Sequence, residues 1–115
     1  MKRDENKRLL VIVLNKEELL DEILEALLEE GVMNSIVIDG RTEAGILAAD
    51  VPMFASRYAI SKAKAENKVI LSLVDAEEVK EVIWLVKDIW KEDSDSGVIF
   101  TLPVYNVKGT TELER

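Results

Sequence analysis

The chain has no cysteine and no histidine in its 115 residues. Without cysteine there is no disulfide scaffold and no thiolate chemistry, which fits a reducing compartment. Without histidine the commonest general base, transition-metal ligand and pH switch are missing. Basic residues are in deficit, 15 against 23 acids, for a net charge of −8. Nucleic acids and anionic membrane surfaces are held by clustered Lys and Arg, so neither is an expected partner. No apolar run reaches the ~18 residues of a membrane span, so no membrane insertion is expected. The run 1–8 carries basic residues, but the apolar stretch 9–14 after it is too short for a signal peptide and lacks a small-residue cleavage site. It reads as a charged lead-in to a strand.

What is present is a globular composition, 48% hydrophobic and 33% charged. The length fits one cytoplasmic domain over 1–115. Leu9-Leu10-Val11-Ile12-Val13-Leu14 is a short β-branched run that predicts a buried strand. Asn15 and Glu18 match a capping box. Leu19, Leu20, Ile23, Leu24, Leu27 and Leu28 then recur at helical spacing until Gly31. A second strand is expected over 35–39, closed by Gly40. Residues 41–51 read as a loop. Asp50 and Pro52 predict the start of a short helix running to about Glu66. The run 69–74 predicts a third strand. Asp75 and Glu78 cap a helix whose stripe is Val79, Val82, Ile83, Val86, Ile89 and Trp90. After a polar loop, 98–102 predicts a fourth strand, stopped by Pro103.

The order β-α-β, insertion, β-α-β predicts an α+β fold, a ferredoxin-like doubled unit with a short helical insertion between strands two and three. Helices would cover one sheet face. The first strand is apolar on both faces, so the other face also needs cover, and a second copy of the chain would supply it.

Gly97-Val98-Ile99-Phe100-Thr101-Leu102-Pro103-Val104 is similar to the G-x-I-F-x-x-P-V of the PII proteins, the nitrogen-regulatory signalling family. Residues 32–40 resemble that family's second strand, which ends in glycine where the T-loop begins, and 68–86 fall in the register of its third strand and second helix. The resemblance implies a homotrimer packed sheet to sheet, acting as a sensor and not as an enzyme. It implies no cofactor, but a small effector held between subunits, an adenine nucleotide or another anionic metabolite. A segment over 41–67 would report the bound state to a target protein. Carried onto this sequence, the ligand-binding residues are Gly40, Arg41, Ser94, Ser96, Gly97 and Lys108, and the partner-facing ones Arg57, Tyr58 and Lys62, with no metal site. The sequence departs from the family before the fourth strand. There 91–97 has one glycine and three acids where the family is glycine-rich, and Lys108 alone stands near the place of its arginine pair. The alternative is a structural or metal-responsive trimer like the related CutA-type proteins, without nucleotide binding.

Arg41 suits a bidentate contact to phosphate or carboxylate. Arg57, Lys62, Lys64 and Lys68 make the middle of the chain basic, either to meet an anion or as a solvated face. Glu92, Asp93 and Asp95 offer oxygens to a hard cation, or form a solvated loop. Met53, Phe54 and Tyr58 either dock a helix or wall a pocket. Trp90 belongs to the core stripe. Trp84 lies off it and is expected at a contact with a neighbouring subunit. No nucleophile–base pair is legible.

Overall fold

The run 9–14 forms the second half of a long central strand, β1 (Arg3–Leu14). The structure is a computed structural model that describes residues 3–50, 66–91 and 93–109. A 3-10 turn (Glu17–Leu19) leads into α1 (Leu20–Glu29), followed by β2 (Ile36–Arg41) and α2 (Glu43–Asp50). Then come β3 (Glu66–Asp75), α3 (Val79–Trp90), a 3-10 turn (Ser94–Ser96) and β4 (Gly97–Tyr105). The sheet order is β2-β3-β1-β4 and every neighbouring pair is antiparallel. This is the ferredoxin-like α+β arrangement that the element order predicts.

The strand period of two sorts the apolar residues onto two faces. Leu10, Ile12 and Leu14 of β1 and Ile70 and Val74 of β3 point to the helices. There they pack with Ile23 and Leu27 of α1, and with Val82, Val86 and Trp90 of α3. Ser72 sits in this layer, and its hydroxyl is satisfied by Ser35 at 2.6 Å. The opposite face is also apolar. Register places Ile36, Leu71, Val11 and Phe100 in one row, and Ile38, Val69, Val13 and Val98 in the next. Leu73, Leu9 and Leu102 make a third. No element among the described residues covers these rows, and Ile36, Ile38, Val98, Phe100 and Leu102 are all exposed.

The helix ends follow local chemistry. α1 closes in a Schellman motif: Val32 N–H donates to Leu27 O and Gly31 N–H to Leu28 O, both at 2.9 Å, with Gly31 at φ 86°. At the start of the Asp75 turn, Asp75 N–H donates to Glu78 Oε1 at 3.2 Å, the predicted capping box.

Several expectations are corrected. The lead-in before Leu9 is strand, because Arg3 and Asp4 pair with Tyr105 and Val104 beyond a bulge. β4 runs through Pro103, which an edge strand tolerates because no neighbour needs its missing N–H. β2 includes Gly40 and Arg41. Asn15 does not cap α1. Its N–H donates to Ser96 O at 2.8 Å and its amide to Asp95 O at 3.3 Å. The stretch read as a loop after Arg41 holds α2, started by the Thr42 hydroxyl, which accepts from Gly45 N–H at 3.0 Å. The helix predicted from Asp50 to Glu66 lies almost wholly outside the described residues, as do Met53, Phe54, Arg57, Tyr58, Lys62 and Lys64.

Candidate functional site

The ladder places Asp39, Lys68, Leu14 and Gly97 in one row across one end of the sheet. β2 ends there, β3 begins there, and the loops after β1 and before β4 meet there. A cavity of about 300 Å³ opens at the β2–β3 corner, lined by Glu17, Asp39, Gly40, Arg41, Glu66, Asn67 and Lys68.

Lys68 organises the wall. Its ammonium lies 2.5 Å from Asp39 Oδ1 and 3.3 Å from Glu17 Oε1, so it ties the sheet corner to the turn before α1. The hydrogen bonds to Asp39 and then to Glu17 raise its pKa above the ordinary lysine value. Arg41 is exposed and, among the described residues, makes no ion pair. Gly40 pairs with Asn67 across the ladder, and the Asn67 amide fills the place a Cβ at position 40 would take. The Asn67 Oδ1 is buried without a hydrogen-bond partner.

The loop before β4 sits at the same end of the sheet. Lys16 pairs with Asp93, so one of the three acids there is neutralised within the chain. The other Asp93 oxygen accepts from Asp95 N–H at 2.9 Å. Ser96 is buried and its hydroxyl has no partner. Gly97 has φ 148° and lies against the Val13 carbonyl, where no side chain fits. The Ser94 side chain lies outside the described set. Among the described residues no group of three Asp or Glu side chains converges as a metal site.

Of the residues expected to bind ligand, Gly40, Arg41, Ser96 and Gly97 thus share one end of the sheet. Lys108 follows β4 at the other end, beyond the Arg3–Tyr105 pairing, so one chain does not bring it to Arg41. Asp39, Glu66, Asn67 and Glu17 were not singled out from sequence. The signal for the first three is their position at a strand end beside Gly40 and Lys68.

No family model matches the sequence and no curated protein matches it. Solved structures do. The Arabidopsis thaliana PII protein bound to citrate is 20% identical, with a TM-score of 0.59 over 88% of this chain and 79% of that one. The Bacillus subtilis GlnK–ATP complex is 17% identical, with a TM-score of 0.59 over 90% and 84%. A functionally unknown protein from Pediococcus pentosaceus is 9% identical, with a TM-score of 0.61 over 93% and 100%. On these structural likenesses the chain has a PII-like fold.

Proposed function

We propose that the chain is a homotrimeric regulatory protein that binds a small anionic metabolite or an adenine nucleotide beside Arg41 and signals through the 41–67 segment. One observation carries this reading. The stretch between β2 and β3 leaves the sheet at Gly40 and Arg41 and re-enters it at Glu66 and Asn67, and all four line the same cavity. A ligand there touches both ends of that stretch at once, and differential contact of this kind shifts a conformational equilibrium.

The chemistry of the cavity supports an anion. Arg41 offers a fork of donors that no ion-pair partner among the described residues occupies, while Lys68 is already committed to two carboxylates. The structural likenesses include proteins bound to citrate and to ATP. The apolar rows of the open sheet face support assembly, since a face of that kind calls for cover. Assembly would also give Lys108 a route to the cavity of a neighbour.

Thermal shift with ATP, ADP, AMP, citrate and 2-oxoglutarate, with and without Mg²⁺, tests this reading. A ligand at ~100 times its dissociation constant adds about 2.7 kcal/mol if it binds only the folded state. Arg41→Ala is expected to remove that gain and leave the assembly mass unchanged. A gain that survives in Arg41→Ala rules out this place for the ligand.

A further inference from the structure

Two rungs of the β2–β3 ladder carry opposite charges at the mouth of the cavity. Asp39 stands across from Lys68, and Arg41 across from Glu66. The rungs are two positions apart on each strand, so all four side chains leave the same face of the sheet. The first rung is closed. Lys68 lies 2.5 Å from Asp39 and also reaches Glu17 from the turn before α1. The second rung is open. Arg41 and Glu66 are both exposed, and among the described residues neither makes an ion pair. Opposed positions on a ladder are about 5 Å apart at Cα, so the two free charges border one opening.

The balance of charge says what can sit there. Glu17, Asp39 and Glu66 stand against Arg41 and Lys68, three acids to two cations, so the lining is negative overall. Arg41 calls for a carboxylate or phosphate. Glu66 calls for a positively charged donor, and an ammonium, with three N–H groups and no acceptor, is of that kind. A ligand that is only anionic satisfies Arg41 but meets Glu66 and the excess of acids, and repulsion of that sort excludes the wrong ligand. A ligand that carries both charges completes the open rung: its anion faces Arg41 and its cation faces Glu66. The two groups must be close together, because the two residues are. The cavity, about 300 Å³, is also at the small end for ligand sites.

We infer that the ligand is a small zwitterion of the free α-amino acid class, held with its carboxylate on Arg41 and its ammonium on Glu66. An α-amino acid bears both groups on one carbon, which suits a single opening. The inference rests on the reading of this cavity as a ligand site and narrows it: Arg41 supplies the attraction for the anionic group, and Glu66 supplies the selection against ligands that lack an ammonium.

Thermal shift with each of the common α-amino acids at about 10 mM, enough to load a site of millimolar affinity, selects the probe. Titration calorimetry then compares it with the 2-oxo acid of the same side chain, for example alanine with pyruvate. The oxo acid keeps the carboxylate and has a carbonyl in place of the ammonium. The amino acid should bind at least about tenfold more tightly, the size expected for a charged hydrogen bond. Glu66→Gln should collapse that ratio towards one, and Arg41→Ala should abolish binding of both. Circular dichroism checks that the variants are folded, as expected for exposed sites. If oxo acids, citrate or ATP bind through Arg41 and no amino acid does, this inference is overturned and the anion site stands. An amino acid that binds wild type and Glu66→Gln equally well also overturns it, since Glu66 then holds no ammonium. If none of these compounds binds, the ligand reading of the cavity and this inference fall together.

Discussion

The Asn67 amide lies in the space that a Cβ on Gly40 would occupy, directly across the β2–β3 ladder. The glycine at the end of β2 therefore serves its cross-strand neighbour and not a turn, since β2 continues through Arg41. The obstructing atom is the end of a flexible side chain. Gly40→Ala should displace Asn67 and cost about 1 kcal/mol, the typical size for a single substitution. In an Asn67→Ala background the same change should cost nothing measurable. Urea titration of the double-mutant cycle reads the coupling directly. Equal costs in both backgrounds would mean that Gly40 is required for another reason.

Gly97 is the contrasting case. Its φ of 148° belongs to glycine, and the obstructing group is the backbone carbonyl of Val13, which cannot step aside. Backbone strain and overpacking, at about 1–3 kcal/mol each, should make Gly97→Ala cost about 3 kcal/mol or more. Loss of the predicted cost in urea unfolding would show that the β1–β4 ladder yields at its end. The same variant should disturb the 93–96 turn, because Asn15 N–H bonds Ser96 O one residue away.

These two glycines show what the sequence made legible. The core did follow from pattern: β-branched runs and helical stripes located the strands, α1 and α3, and Gly31 closed α1 as expected. What escaped were features decided by distant partners. Arg3 and Asp4 look like solvated residues until Tyr105 and Val104 pair with them. Asn15 has the chemistry of a cap, yet the loop before β4 claims it. α2 was missed because its apolar residues are contiguous, although Thr42 before Glu43 was a readable start signal. Gly40 and Arg41 were identified from resemblance. The carboxylates around Lys68 were not, because nothing local marks an acid as the partner of a lysine 29 positions away.

The Lys68 cluster gives a pH prediction. Its partners raise the lysine's pKa above the ordinary 10.5. A raised lysine contributes stability that is fully present below its unfolded value and is lost as pH rises through the folded one. Wild type should therefore melt above Lys68→Met by a constant margin from neutral pH to about pH 10, and the margin should close at more alkaline pH. Melting curves of both proteins across that range provide the check. A margin that stays open at alkaline pH would show that the Lys68 charge is not its source.

The last prediction concerns the sheet face that no element among the described residues covers. Val98, Phe100 and Leu102 of the edge strand β4 are 49%, 41% and 45% exposed, and Ile36 and Ile38 at the other edge are no better covered. Between them, Val11 at the centre of its row is buried. A contiguous apolar surface of this kind marks an interface, and under the proposed function the wild-type chain should sediment as a trimer. Phe100 stands in the row with Val11, Leu71 and Ile36, so a charge there would be buried without a partner when sheets meet. Phe100→Glu should reduce the trimer to a monomer. Its fold should remain intact, because Phe100 lies outside the core formed with α1 and α3. Sedimentation gives the mass and circular dichroism the fold. An unchanged mass with Glu at position 100 would place the subunit contact elsewhere and leave the apolar rows to another partner.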